Sequence, residues 1–183
     1  RIFDPLGMED TYFYLPDSKA DRLVPVQSQS AGVWKIYQGN GFFDPDYPIK
    51  GAMTFFSGGG GLSSTALDYA RFLQMYLNQG EYNGVRLLSR TTVQTIMSNQ
   101  VGDLFGDGGA YYGLAFGVLD EKGAAMGGRG SLGTFDWGGY FNTQYFADPA
   151  EQCIGILMKQ TQDSWADETA WKFRLLVGQA IDD

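Results

Sequence analysis

Residues 141–159, FNTQYFADPAEQCIGILMK, give the strongest indication of the fold. Its first part, residues 141–147, and its last part, residues 152–159, carry mostly aromatic and aliphatic side chains, which favours two strands. The segment Asp148-Pro149-Ala150-Glu151 between them is typical of a turn. Because so short a turn joins neighbouring antiparallel strands, the stretch predicts a β-hairpin.

The segments on either side of this hairpin predict a further strand and a helix. In residues 111–118, apolar side chains alternate with small ones, as in a half-buried strand: Leu114, Phe116 and Val118. Beyond the hairpin, an apolar stripe at helical spacing predicts a helix over residues 164–181, with Ser164 as its cap. The stripe consists of Ala166, Ala170, Phe173, Val177 and Ala180.

The N-terminal part of the chain predicts helices. One apolar helix face is formed by Tyr69, Phe72, Leu73, Tyr76 and Leu77. Thr65 and Asp68 resemble a capping box at the start of this helix, and Gly80 suits the position just after its end. A shorter helix follows, capped by Ser89, with Val93, Ile96 and Met97 facing inward.

The order of these elements indicates the fold class. Helices come first, antiparallel strands follow and a helix ends the chain, which is typical of an α+β fold rather than of alternating βαβ units. The 183 residues suffice for one domain. Residues 1–100 are predicted to be mainly helix and loop, residues 111–160 antiparallel strands, and residues 164–181 the terminal helix. The aromatic loop over residues 33–56 either lines a binding site or covers the core.

Composition excludes several classes of function. With 13 basic and 21 acidic side chains the net charge is −8, which disfavours nucleic-acid binding. No run approaches eighteen apolar residues, so no membrane span is predicted. The chain begins at Arg1 with no signal-peptide pattern after it, and both the periplasm and the cytoplasm stay open as its compartment.

The absence of histidine narrows the chemistry most. It excludes a Ser-His-Asp triad, a Cys-His dyad and histidine-based metal sites within these residues. No metal and no cofactor is predicted. Proton transfer must run on Lys, Tyr, Asp or Glu, or on groups outside the chain. The single cysteine, Cys153, is interpreted as a small buried hydrophobic residue.

Short catalytic motifs are matched poorly. Gly128-x-Gly130-x-x-Gly133 has the string of a dinucleotide fingerprint, but the segment after it looks extended, where the fingerprint needs a helix. Tyr76-x-Asn78 lies on an apolar helix face, so Tyr76 is interpreted as core. Neither Gly-x-Ser-x-Gly nor Ser-x-x-Lys occurs in the chain.

Four segments together resemble one family, the class C β-lactamase-like group that includes penicillin-binding peptidases and family VIII carboxylesterases. They are PLGMEDT in residues 5–11, GGLSSTALDYARF in residues 60–72, YGLAFGV in residues 112–118, and WGGY in residues 137–140 followed by Asp148-Pro149. The resemblance implies a β-lactamase/transpeptidase-like fold. It also implies that the serine and lysine of Ser-x-x-Lys, and the Tyr-x-Asn motif, lie before Arg1. On this interpretation residues 1–183 are the C-terminal part of one such domain.

The resemblance also implies the site residues. Trp137, Gly138 and Gly139 match the third motif of the family, with Trp137 where many members carry lysine or histidine. They are expected to bind substrate, and the backbone N–H of Tyr140 is expected to stabilise the oxyanion. A tryptophan there offers an apolar wall instead of a cation, which favours an ester or a similarly neutral acyl substrate over a β-lactam.

Three interpretations of the chain stay open. The first is part of a serine hydrolase, inactive by itself, that binds a small acyl substrate and pairs with its own N-terminal half or with a second copy. The second is a non-catalytic binding or regulatory protein of the same fold. The third is a self-sufficient small domain, against which stands the sheet edge and apolar face that such a chain would expose.

Overall fold

The computed structural model describes residues 1–41, 43–105, 108–162 and 168–181. The α-helices within these ranges are α1 (Phe3–Leu6), α2 (Tyr47–Lys50), α3 (Ala66–Leu77), α4 (Arg90–Met97), α5 (Glu121–Ala125) and α6 (Thr169–Gln179). The strands are β1 (Gln27–Ser30), β2 (Val33–Ile36), β3 (Glu81–Tyr82), β4 (Val85–Arg86), β5 (Ala110–Tyr112), β6 (Gly117–Leu119), β7 (Phe135–Gly138), β8 (Gln144–Asp148), β9 (Cys153–Leu157) and β10 (Thr161–Gln162). A 3-10 helix covers Asp17–Arg22. None of the helices in these ranges is long and apolar enough to cross a membrane.

Helix α3 begins at the predicted cap, but the left-handed residue that follows its C-cap Asn78 is Gln79, with φ of 55°, and the predicted Gly80 comes one residue later. The Thr65 hydroxyl accepts the N–H of Asp68 at 3.3 Å, which caps the first turn. At the other end, Gly80 has a positive φ of 97° and donates its N–H to the Met75 carbonyl at 2.8 Å. Helix α4 is capped by the Ser89 hydroxyl, again as predicted.

The main sheet is antiparallel, with the strand order β5-β6-β7-β8-β9. The predicted hairpin is confirmed as β8 and β9, which pair from Gln144 with Leu157 to Asp148 with Cys153. Strand β8 begins three residues later than the sequence pattern predicts, because residues 139–143 form the loop that joins it to β7. The α+β class is therefore confirmed.

The strand predicted over residues 111–118 is divided. The N–H of Gly113 bonds the carbonyl of Phe116 at 2.9 Å, which reverses the chain and separates β5 from β6. Leu114 lies exposed at the tip of the turn, and its N–H bonds the Ile96 carbonyl at the end of α4. The alternating pattern predicts one continuous strand here and is wrong, because the contact with α4 fixes a turn within it.

A second, smaller sheet has the order β10-β1-β2 and was not predicted. Strands β1 and β2 form a hairpin through Ala31 and Gly32, both with positive φ. Strand β10 pairs with β1 in parallel, with Gln27 opposite Thr161. This pairing holds residues 159–162 beside the loop between β7 and β8.

Helices cover both faces of the main sheet. Leu73 and Tyr76 of α3 pack with Phe116 and Phe135 in the buried core on one face. Phe173 of α6 contacts the opposite face through the ring of Phe146. The terminal helix is confirmed over Thr169–Gln179, although Ala180 is exposed rather than packed. Ser164 and Ala166 of the predicted cap and stripe lie outside the described residues.

Candidate active site

Residues 139–143 form a tight hairpin loop between β7 and β8. The N–H of Gly139 donates to the carbonyl of Thr143 at 2.7 Å, and the N–H of Asn142 donates to the carbonyl of Gly139 at 2.9 Å. Asn142 has a positive φ of 71°. This pattern is that of a loop built from a type I turn followed by one left-handed residue, a position that asparagine tolerates.

The loop places Tyr140 at the first central position of the turn. The N–H at this position takes no part in the turn's own hydrogen bonds. Among the described residues no acceptor receives the N–H of Tyr140 or of the adjacent Phe141. Because the Tyr140 side chain is 51% exposed, a ligand can approach this part of the loop. The loop therefore presents two successive N–H groups that no described residue accepts.

Trp137 lies at the end of β7, where the strand has a neighbour on one side. Strand β6 pairs with β7 only at Phe135 and Asp136, so Trp137 and Gly138 pair with β8 alone. The Trp137 side chain is 47% exposed. Its ring contacts Tyr112 edge to face at a centroid distance of 5.2 Å, and it forms an apolar wall beside the loop.

The two glycines after Trp137 have different surroundings. A Cβ atom on Gly138 would lie 2.5 Å from the Gln144 amide nitrogen, so the Gln144 side chain already fills that space. A Cβ atom on Gly139 would lie 3.4 Å from the Cβ of Thr143, which is close to an ordinary contact. The space beside the strand is therefore open at Gly139 and occupied at Gly138. A role for either glycine in substrate binding stays a prediction.

Two distant segments hold the loop in place. From residues 33–56, the Phe43 ring stacks on the Tyr140 ring with centroids 3.8 Å apart and planes at 20°. From β10, Gln162 donates its amide N–H to the Tyr140 hydroxyl at 2.9 Å. The aromatic loop thus reaches the predicted site. The many aromatic residues of this loop indicated from the sequence that it could line a binding site, whereas no local pattern indicated a role for Gln162.

Two of the motif segments meet at one buried carboxylate and not at the candidate site. Asp68, 3% exposed, accepts the backbone N–H of Asp10 at 2.7 Å and the Thr11 hydroxyl at 3.0 Å. Arg71 bonds the same carboxylate and also the Gly7 carbonyl. Asp68 therefore joins the PLGMEDT segment to α3, which gives these motif residues a structural role.

Burial keeps three tyrosines near the sheet in their neutral form. It raises the pKa of Tyr69 and of Tyr76. Burial, together with the neighbouring Tyr69, raises the pKa of Tyr145 far above its usual range. Tyr76 packs against Phe116 and Phe135, as its position on the apolar helix face predicts. Since a general base must lose its proton near neutral pH, these three side chains are unsuited to that role.

Cys153 is half-buried in β9 rather than fully buried, and burial raises the pKa of its thiol. A buried thiol with a raised pKa is a poor nucleophile. The glycines of the Gly128-x-Gly130-x-x-Gly133 string lie between helix α5 and strand β7. A dinucleotide fingerprint needs the reverse order, so the rejection of that motif is confirmed.

A cavity of about 170 Å³ lies on the opposite face of the sheet, between β8 and α6. Arg174 lines it and forms an ion pair with Asp136 at 2.5 Å. The Nε and second Nη atoms of Arg174 are buried and have no hydrogen-bond acceptor among the described residues. Neither Asp136 nor Arg174 was singled out by the sequence patterns.

Comparison with known proteins gives both a family and relatives. The family model described as Beta-lactamase matches residues 1–179. Protein Rv1367c of Mycobacterium tuberculosis strain H37Rv is 32% identical over 175 residues, which cover 87% of this chain and 41% of that protein. Uncharacterized protein MT1414 of strain CDC 1551 matches equally. The chain thus spans less than half the length of these relatives.

Several solved structures share the fold at lower identity. EstCE1, described as a hydrolase with promiscuous acyltransferase activity, has a TM-score of 0.76 at 22% identity, over 95% of this chain and 47% of its own. Unliganded simvastatin synthase LovD from Aspergillus terreus has a TM-score of 0.76 at 18% identity, over 100% of this chain and 49% of its own. A penicillin-binding protein homologue from Caulobacter crescentus has a TM-score of 0.64 at 21% identity, over 96% of this chain and 48% of its own. These structures share the fold of this chain, and the family model over residues 1–179 shows that the chain belongs to the Beta-lactamase family.

Proposed function

We propose that the chain forms one wall of the acyl-binding site of a serine hydrolase that cleaves esters or amides through an acyl-enzyme. The observation that carries the proposal is the N–H of Tyr140, which has no acceptor among the described residues at the tip of an anchored loop. A fixed N–H of this kind suits the oxygen of a tetrahedral intermediate, where negative charge develops. EstCE1, described as a hydrolase with promiscuous acyltransferase activity, has a similar fold.

In this reaction, residues outside this chain supply the nucleophile and this chain supplies the oxyanion donor. A serine oxygen from outside these residues attacks the carbonyl carbon, and its proton passes to a neighbouring base. The carbonyl oxygen becomes an oxyanion that accepts the Tyr140 N–H. Collapse of the intermediate expels the alcohol or amine, which takes up a proton, and leaves an acyl-serine. Water then attacks the acyl-serine and releases the acid.

The side chain at Trp137 favours a neutral substrate. A lysine at this place would attract the carboxylate of a β-lactam, whereas an exposed indole offers apolar contact and no charge. Trp137 and Tyr140, both partly exposed, flank Gly138 and Gly139 in the sequence. An ester with an apolar acyl or alcohol group fits such walls better than an anion.

The general base and the nucleophile are expected from outside these residues. This chain has no histidine and no Ser-x-x-Lys. The three tyrosines that pack near the sheet, Tyr69, Tyr76 and Tyr145, have raised pKa values and stay protonated. Three lysines with described ion pairs are held by carboxylates: Lys19 by Asp10, Lys50 by Asp46 and Lys172 by Glu168. A serine and lysine supplied by the preceding half of a longer protein would complete the site.

We further propose that the preceding half completes the main sheet. Strand β9 pairs with β8 alone within the described part of the chain, so its outer edge carries unpaired backbone groups. An open edge of this kind favours pairing with another strand. The relatives of this chain are more than twice as long as the matched region, and they contain enough sequence to supply such a strand. Pairing with a second copy is the competing outcome.

Covalent labelling tests the function. The full-length protein should react with a fluorophosphonate probe and should hydrolyse p-nitrophenyl esters, while a variant with alanine for the Ser-x-x-Lys serine should do neither. Residues 1–183 alone should be unlabelled, and adding the separately expressed upstream half should restore labelling. Turnover by pure residues 1–183 would contradict the proposal. An unreactive full-length protein without Ser-x-x-Lys would point to a binding protein.

A further inference from the structure

Phe43 is the aromatic residue that lies against the predicted oxyanion donor. Its ring covers the Tyr140 ring in a near-parallel stack, with centroids 3.8 Å apart. The Phe43 ring also contacts Phe141, the next residue of the same loop, edge to face at 6.2 Å. One side chain from a distant segment therefore touches both residues whose N–H groups are unpaired.

The backbone around Phe43 is itself fixed. Its N–H donates to the Asn40 side-chain oxygen at 2.8 Å, and its carbonyl accepts the Asn40 N–H at 3.3 Å. A Cβ atom on Gly39 would lie only 2.9 Å from the Phe43 carbonyl oxygen, and Gly39 has a positive φ of 87°. This tight packing gives Phe43 a defined position from which to hold another ring.

The opposite side of the loop is held by residues 159–162. The N–H of Thr161 donates to the Phe141 carbonyl at 2.9 Å, and the Asn142 amide donates to the Thr161 hydroxyl at 2.7 Å. Gln162 fixes the Tyr140 hydroxyl. These bonds secure the far end of the Tyr140 ring and the second half of the loop, and none of them uses the Tyr140 N–H.

Such anchoring matters because of where Tyr140 lies. The first central residue of a turn contributes no N–H bond to the ladder, so the ladder does not fix the direction of that N–H. An oxyanion donor acts through preorganisation, and small misplacements of a donor reduce the rate strongly. The stacked ring restricts the motion of Tyr140 about its backbone.

We propose that Phe43 is a positioning residue that holds Tyr140, and with it the oxyanion-donating N–H, in the reactive geometry. This inference rests on the proposed hydrolase function. Losing the contribution of one aromatic pair corresponds to a change in rate of roughly 2- to 12-fold. The loss falls on kcat, because the N–H acts on the transition state and not on the bound ester.

The test uses the full-length protein with a short and a long ester, p-nitrophenyl acetate and p-nitrophenyl octanoate. Phe43→Ala should lower kcat about 3- to 10-fold for both esters with KM little changed. Phe43→Leu keeps an apolar side chain but removes the stack, and it should lower kcat similarly; Phe43→Tyr should restore it. Phe56→Ala is the matched control, because Phe56 packs on Phe13 and Tyr14 in a different aromatic cluster.

The outcomes are distinguishable. A wild-type protein without esterase activity overturns the proposed function. With an active wild type, unchanged kcat in both Phe43→Ala and Phe43→Leu overturns the positioning role. A loss confined to KM for octanoate would assign Phe43 to substrate contact and would likewise overturn it. Equal melting temperatures of Phe43→Leu and Phe43→Tyr, by circular dichroism, separate a kinetic effect from unfolding.

Discussion

The carboxylate of Asp68 accepts the backbone N–H of Asp10 at 2.7 Å across the boundary between α3 and the N-terminal segment. Asp68 lies in the first turn of α3, where a negative charge is favourable. The expected capping box is therefore only half present: Thr65 caps the helix, while the Asp68 side chain turns away to bond the PLGMEDT segment. This contact gives a structural role to two of the segments that resemble the family, residues 5–11 and residues 60–72.

Replacing Asp68 should destabilise the protein without touching the candidate site. Asp68→Asn introduces an amide where three donors converge, which should lower the free energy of unfolding by about 2–3 kcal/mol. Chemical denaturation measures this change. The exposed Asp103→Asn is the control and should stay within about 0.5 kcal/mol of the wild type. Equal stability of the two variants would contradict the role given to Asp68.

The Tyr140 N–H can be removed while the turn is kept. Proline is favoured at the first central position of a type I turn, so Tyr140→Pro should fold and lack only the donor and the ring. Tyr140→Ala lacks the ring but keeps the N–H. We expect kcat of the full-length enzyme to be about 10²- to 10³-fold lower in Tyr140→Pro than in Tyr140→Ala. Similar kcat values in the two variants would exclude this N–H as the donor.

The side chain at position 137 should govern the charge of the substrate. Trp137→Lys places a cation at the site, which should raise the rate of labelling by a penicillin about fivefold relative to Trp137→Ala, equivalent to roughly 1 kcal/mol for an exposed ion pair. Added salt should reduce the gain, because it screens the charge. Identical penicillin labelling of the two variants would argue against a carboxylate-binding role for this position.

Asp148 should make the stability of the hairpin sensitive to acid. Burial alone would raise the pKa of Asp148, but the backbone N–H groups of Ser131, Glu151 and Ala150 outweigh it and hold the pKa below the ordinary value. A carboxyl with a lowered pKa stabilises the folded state above the unfolded pKa of 3.8, and this stability is lost as the pH falls through the folded value.

Asp148→Asn should therefore lower the free energy of unfolding by about 1–3 kcal/mol at pH 7, because it disturbs hydrogen bonds to a buried carboxylate. It should also flatten the decline of stability below about pH 4. Thermal melts from pH 7 to pH 3 measure both effects. A wild type and a variant that lose stability in parallel over this range would show that another group carries the acid dependence.

Two glycines with similar backbone angles should differ in tolerance. Gly84 has φ of 79°, and a Cβ atom added there would meet open space. Gly84→Ala should therefore lower the free energy of unfolding by about 1–2 kcal/mol, from backbone strain alone. Gly80, with φ of 97°, would place a Cβ atom 2.1 Å from the Leu88 carbonyl oxygen. Gly80→Ala should cost clearly more than Gly84→Ala in urea denaturation, and the reverse order would contradict the packing at Gly80.

Elements that depend on neighbouring residues could be predicted from the amino-acid sequence alone. The cap at Thr65, the glycine after α3 and the hairpin around Asp148 were predicted because helix periodicity, caps and turns depend on residues a few positions apart. The lack of histidine likewise excluded, without any structure, a Ser-His-Asp triad or a histidine-based metal site formed within these residues. Family segments located Trp137 and Tyr140 but not their geometry.

The arrangement of the candidate site depends on contacts between distant segments of the chain. The turn at Gly113 that divides one predicted strand depends on the carbonyl of Ile96, and the parallel pairing of β1 with β10 joins distant segments. The stack of Phe43 on Tyr140 likewise brings together residues far apart in the chain. No local pattern encodes such contacts, because they depend on how the whole chain packs. The position of the free Tyr140 N–H therefore follows from the fold and not from the motif alone.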